Sequence, residues 1–173
     1  MDTKKSVMNL GRFESCRCRK LANKHALCDG DQGFAEQGKA VRFNTKQGES
    51  VAAIVMDGCI FQDNKPKCDG LFLWAGNSRK AAALVELKGA GDLDHAFAQL
   101  AFVKNTRPEY REILAQFNAQ QPKGTALEKC FLISNGRLSK TKIEKLENNH
   151  GIRVHQILHS EATTPIPDLR KLI

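Results

Sequence analysis

KPKCDGLFL, at positions 65–73, and AAALVELKG, at positions 81–89, are two short apolar runs that each carry charge where valine or leucine would suit a buried strand. The residues between them, AGNSR, include Gly and Asn, which favour a tight turn. The two runs therefore predict an antiparallel β-hairpin. With the turn centred between Asn77 and Ser78, Leu73 faces Ala82, Leu71 faces Leu84, and Asp69 faces Glu86. Lys67 then falls opposite Lys88. Directly opposed side chains have Cβ atoms roughly 4.5 to 5.5 Å apart, so this register sets two carboxylates side by side. Glu86 and Lys88 share a face through the two-residue strand period, while Val85 and Leu87 point the other way. A slip of one residue would destroy the arrangement.

Two anions this close need a shared proton, a neighbouring cation or a metal. Carboxylate oxygens are hard ligands suited to Mg²⁺ or Mn²⁺, which keep waters and accept phosphate oxygens. Asp69 and Glu86 are thus the candidate metal ligands, and Lys88 the residue that orients water or offsets developing charge. Gly89 and Gly91 leave room for a substrate at the strand end. The plainer alternative is a structural ion pair of Lys88 with Glu86 or Asp69 near a sheet edge.

Asp69 on one strand, a short hairpin, then Glu86-x-Lys88 on the next resembles the PD-(D/E)XK nuclease superfamily, the restriction-endonuclease-like fold. The proline usual before the aspartate is replaced by Cys68. The resemblance covers about residues 50 to 135, and VELKGAGDLDHAFAQL is similar to small bacterial and phage members. It implies that Asp69 and Glu86 hold Mg²⁺ or Mn²⁺, that Lys88 is catalytic, and that a polar residue on the following helix faces the site. Gln99 fits that position, with His95 one turn earlier as a weaker match. An additional N-terminal acid is also implied, with Glu49 and Glu36 as candidates. The activity implied is metal-dependent phosphodiester hydrolysis, of DNA first and RNA as an alternative, by a possible homodimer. A nonenzymatic nucleic-acid or protein-binding module on the same fold is the competing expectation.

Working outward, SVAAIVMDGCIF (50–61) reads as a strand with a bulge or bend at Asp57-Gly58, where Asp57 is a further acid near the sheet end. Leu93, Ala96, Phe97, Leu100 and Val103 recur at helical spacing, and Asp92 is placed to cap that helix. Pro108 and Glu109 start a second helix running to about Gln120. EKCFLIS (128–134) is a buried strand, 139–149 a polar helix stopped by Gly151, and IRVHQILHS (152–160) an edge strand. The order β-β-β-α-α-β-α-β predicts an α/β fold: a restriction-endonuclease-like mixed sheet flanked by helices. Residues 1–173 are expected to form a single nuclease-like domain, with 1–48 the least readable part; RFESCRCRKLANKHAL suggests one short helix there and FAEQGKAVRFN one short strand.

The chain has 173 residues, 41% of them apolar, enough for a packed core. Its net charge of +8 suits nucleic acid or an anionic membrane without choosing between them. Arg12, Arg17, Arg19, Lys20 and Lys24 form the densest basic cluster and a candidate duplex-contact surface. No apolar run reaches membrane-spanning length, and the N-terminus lacks the apolar core of a secretion signal. A cytoplasmic protein is expected, with its six cysteines reduced. Cys16, Cys18, His25 and Cys28 have the ligand types for zinc, but the one-residue spacing is atypical. Strand alternation sends Cys68 to the face opposite Asp69 and into the core. His155 and His159 share strand parity but make no metal site by themselves. No phosphate-binding glycine loop occurs, so ATP use is not expected.

Overall fold

The computed structural model describes residues 8–21 and 25–173. Its seven strands are β1 (Gly33–Glu36), β2 (Lys39–Arg42), β3 (Ser50–Val55), β4 (Gly70–Gly76), β5 (Arg79–Lys88), β6 (Leu127–Ser134) and β7 (Gln156–His159). The helices are α1 (Leu93–Thr106), α2 (Pro108–Ala119) and α3 (Lys140–His150), with short 3-10 turns elsewhere. The main sheet runs β3-β4-β5-β6-β7. β3, β4 and β5 form an antiparallel meander, and β6 and β7 continue the sheet parallel to β5. The expected α/β class, with a mixed sheet flanked by helices, is thus the observed one.

Strand alternation divides the core into two layers. Leu71, Leu73, Ala82, Leu84 and Leu132 face the helices, packing against Phe97, Leu100, Tyr110 and Phe117. Phe72, Trp74, Ala81, Ala83 and Val85 face the other way, toward Phe34, Val41 and Phe43 of the β1–β2 hairpin region. The small alanines of the central strand leave room there for aromatic rings; the Phe34 and Phe72 rings lie 4.7 Å apart, tilted by 47°. Gly70 belongs to this packing, because a Cβ on it would stand 2.6 Å from the Phe34 ring. The Asp-Gly pair at 69–70 therefore marks a close approach of one layer to the next and not a turn.

Most element boundaries match the sequence expectations. All five apolar positions named for α1 are buried, α2 starts at Pro108, and the Ser139 side chain caps α3 by accepting from the Lys142 N–H. Three expectations are corrected. Segment 34–44 is a hairpin turning at Gln37-Gly38, not one strand. Of the expected helix over 12–27, only a 3-10 turn over Gly11–Cys16 forms among the described residues. The edge strand over 152–160 is shorter, since only Gln156–His159 pair with β6.

The cysteines also differ from expectation. Cys16 bonds to Cys59 and Cys18 to Cys28, leaving Cys68 and Cys130 as buried thiols. The fold explains these partners: the Cys18 N–H donates to Ala53 O on the edge of β3, and Cys28 bridges to Phe34. A zinc site at Cys16, Cys18, His25 and Cys28 is excluded by this pairing, because the three sulfurs are already in disulfides. The premise that the thiols are all reduced, which supported a cytoplasmic location, is removed with it. Among the described residues no helix is long and apolar enough to cross a membrane.

Candidate active site

Asn77 and Ser78, both with positive φ, make a two-residue turn, and the β4–β5 ladder runs from Gly76↔Arg79 to Gly70↔Val85. Asp69 and Glu86 are the next opposed positions beyond the last pair. The strand register inferred from the sequence is the register observed. Glu86 shares the parity of Ala82 and Leu84, so its side chain belongs to the helix-facing side of the sheet.

Each acid is locked into the backbone of the segment opposite. The Asp69 N–H donates to Glu86 Oε2 at 3.0 Å, and the Leu87 N–H donates to Asp69 Oδ2 at 2.8 Å. Asp69 is 8% exposed and Glu86 2%. Burial disfavours the ionised forms. It pushes Asp69 up to about 6, against the lowering by the Leu87 N–H, with Glu36 and Asp57 adding repulsion. Glu86 is pushed well above the usual carboxylate range, by burial first and then by the charge of Asp69, while Lys88 pulls it back only in part. The pair is short of positive charge.

Lys88 stands at the rim. Its Nζ lies 3.9 Å from Glu86 Oε1 and 3.7 Å from Asp92 Oδ2, and donates to Gln99 Oε1 at 3.2 Å. Gln99 reaches from α1 with its other amide atom as well, donating from Nε2 to Lys67 O at 3.0 Å. It therefore spans the two segments that carry the acids and the amine. Asp92 precedes α1 but makes no capping hydrogen bond with its side chain, which faces Lys88 instead.

Arg107, between α1 and α2, was not anticipated. It is 3% exposed and grips the loop leading to Asp69, pairing with Asp63 through two nitrogens at 2.6 and 2.8 Å. It also donates to Lys65 O and Pro66 O, and its guanidinium sits over the Phe61 and Phe102 rings. An arginine at a helix junction gives no sequence signal for such a role, because its partners lie more than forty positions earlier in the chain.

The remaining candidates separate clearly. Asp57 lies exposed in the turn after β3 and, like Glu36, is near enough to affect Asp69 electrostatically. Glu49 is not at this site: it sits beside Gly76, at the hairpin-tip end of the sheet, bound to Arg170. His95 is exposed and makes no described contact with the acids. Cys68 is buried as expected, but among the helix-side residues, because regular alternation begins only at Gly70. The basic cluster is also displaced. Arg17 pairs with Ile54 antiparallel, so Arg19 and Lys20 run along β3 away from the acids, lining a groove with Ser50 and Val51. Arg12 pairs with Glu112, and Arg17 and Arg19 approach Glu14. Lys24 lies outside the described residues.

Among the described residues no group of three or more His, Cys, Asp or Glu is arranged to hold a metal ion. The donor set at this site is the Asp69–Glu86 pair: two hard carboxylates, buried, with only Lys88, 3.9 Å from Glu86, to offset them in part. That chemistry fits a Mg²⁺ or Mn²⁺ retaining most of its waters. No protein-family model, curated protein or solved structure matches the chain.

Proposed function

We propose that the protein is a metal-dependent nuclease of the PD-(D/E)XK kind, with a restriction-endonuclease-like core formed by β3–β6 and α1. The observation that carries this reading is the juxtaposition of Asp69, just before β4, with Glu86 on β5, both buried and under-neutralised, with Lys88 at their rim. The meander β3-β4-β5, the crossover through α1 and α2, and the parallel β6 agree with the element order expected of such enzymes.

Asp69 and Glu86 would hold Mg²⁺ or Mn²⁺, which when bound supplies positive charge against phosphate oxygens and acidifies water. The chain's own groups supply the rest. The backbone bonds from Asp69 and Leu87 fix the two carboxylates before substrate arrives, so no reorganisation is needed at the reacting centre. Lys88, oriented by Gln99, is placed to hold the attacking water in line or to offset charge on the phosphate. Gln99 is a positioning residue, since it acts through Lys88 and the Lys67 carbonyl.

A second reading has one specific support. Mutual side-chain-to-backbone bonds are also what a structural acid pair would use, which suits a nonenzymatic nucleic-acid or protein-binding module. Incubation with plasmid, single-stranded and branched DNA, and RNA, in Mg²⁺, Mn²⁺ or EDTA, separates the two. The nuclease reading expects metal-dependent cleavage that falls about 100-fold or more in Glu86→Gln and in Lys88→Ala, with folding retained. Cleavage undiminished in both variants, or absent from the wild type on every substrate and metal, would overturn it.

A further inference from the structure

The carboxyl ends of the parallel strands extend the rim beyond Lys88. Lys88, Ser134 and His159 are paired across β5, β6 and β7, and by strand parity with Ile157 they share the helix-facing side. Two strand spacings put His159 roughly 10 Å from Lys88. The loop after β6 is pressed against the loop after β5: the Ala90 N–H donates to Asn135 Oδ1 at 3.1 Å, and a Cβ on Gly136 would stand 2.7 Å from the Ala90 Cα. That contact requires glycine and fixes the next residue, Arg137, beside the loop that follows Lys88. Arg137 is exposed, and among the described residues no acid or hydrogen-bond acceptor engages it. Lys140, at the start of α3, is likewise exposed and unengaged. The N-terminal arginines, by contrast, are occupied by Glu14 and Glu112.

From Arg137 a groove of about 490 Å³ runs along the helix-facing side of β7. Leu138, Ile143 and Ile157 give it a half-buried apolar floor, and Gln156 and His159 a polar rim. Its size is that of a small-ligand pocket, and its lining mixes a flat apolar surface with hydrogen-bonding groups at the edge. A cation at the mouth, an apolar floor and a polar rim match the three parts of a nucleotide: phosphate, base face and base edge.

We propose that this groove is a subsite for the nucleotide next to the scissile phosphate, with Arg137 on its phosphate and its base on the Leu138–Ile143–Ile157 floor. A base can lie there only when it is unpaired, so the favoured substrate is single-stranded at that position. This rests on the nuclease reading for the location of the scissile phosphate, but binding is measured apart from cleavage.

The test is fluorescence anisotropy in EDTA, with a fluorescein-labelled oligothymidylate, an oligouridylate of equal length, a blunt DNA duplex, and an oligothymidylate with one abasic position. Arg137→Gln should weaken single-strand binding about ten-fold and lower the salt slope by about 0.7, with fold unchanged by circular dichroism. The abasic strand should bind about five-fold more weakly or worse. Arg12→Gln, on the opposite flank, should bind as wild type. The DNA and RNA arms decide which strand the subsite prefers. Wild-type affinity in Arg137→Gln, an equal loss in Arg12→Gln, or equally strong Arg137-dependent binding of the blunt duplex would overturn the subsite. Arg137-dependent binding with no cleavage under any metal would leave the subsite standing and remove the nuclease.

Discussion

Buried acids lie beside both ends of the β4–β5 hairpin, one at the tip and two at the open end, and the ends treat them in opposite ways. At the tip, Glu49 is 4% exposed and clamped by Arg170, whose Nε lies 2.7 and 2.9 Å from its two oxygens. Arg170 holds Glu49 down to about 2, against the upward push of burial. At the open end, Asp69 and Glu86 are as little exposed, yet their nearest cation, Lys88, stays 3.9 Å from Glu86 and is shared with Asp92 and Gln99. Both acids there are pushed upward. All three acids are shielded from solvent, but Asp69 and Glu86 are enclosed by more protein than Glu49, and burial is the main cause of their upward shift. The ends differ as well in whether the fold supplies a close countercharge, and an end that leaves it out is the one able to take it from outside.

The largest effect should separate the ends by stability. Glu49→Gln removes the main partner of the partly exposed Arg170 guanidinium, which keeps only the more distant charge of Asp168, and losing charged hydrogen bonds of this kind costs up to about 3 kcal/mol. Urea denaturation at neutral pH should register that loss. Glu86→Gln should show no such loss, because the amide keeps an acceptor for the Asp69 N–H while removing a charge the site does not neutralise. If Glu86→Gln destabilises as much as Glu49→Gln, the open end is a structural pair like the tip.

The next effect is a pH dependence of opposite sign at the two ends. A carboxyl raised from 3.8 to about 6 holds its proton in the folded protein after the unfolded chain has lost it. Stability from Asp69 therefore falls as pH climbs from roughly 4 to roughly 6, and the deficit is complete above that window. The shift corresponds to about 3 kcal/mol. Asp69→Asn should match the wild type near pH 4 in EDTA and exceed it by about that amount near pH 7. Glu49, held low, contributes stability that is present above the ordinary glutamate range and disappears as pH falls toward 2. Denaturation curves across pH that slope the same way for both acids would break the contrast.

The open end was readable in the sequence because everything that builds it is local. The alternating apolar residues and the Asn77-Ser78 turn set the register, and the register alone brings Asp69 to Glu86. Gln99 came from the nuclease resemblance, which implies a polar residue on the helix after the second strand. The tip was not readable: Glu49 looked as eligible as any other acid, and only Arg170, 121 positions away, reveals its role. Distance also hid Arg107 and the Cys16–Cys59 disulfide, whereas Cys18–Cys28, 10 positions apart, was set aside by the expectation of reduced cysteines. Cys16 and Cys59 are 43 positions apart with no motif joining them, so spacing alone could not pair them. The hairpin of β1 and β2 was missed for a different reason: each strand has only four residues, too few to display a period.

The smallest effect asks directly whether the open end accepts a cation. At a free Mg²⁺ concentration ten times its dissociation constant, a site present only in the folded protein gains about 1.4 kcal/mol. For a chain of this size that raises the melting temperature by roughly 3 to 6 °C. The rise should be lost in Glu86→Gln and kept in Glu49→Gln, when ionic strength is matched with a monovalent salt. Protons and metal compete for the same oxygens, so the rise should be larger at pH 7.5 than at pH 5, where Asp69 is mostly protonated. An equal rise in Glu86→Gln would place the cation elsewhere on the surface. A rise that does not change with pH would mean the carboxylates are not its ligands.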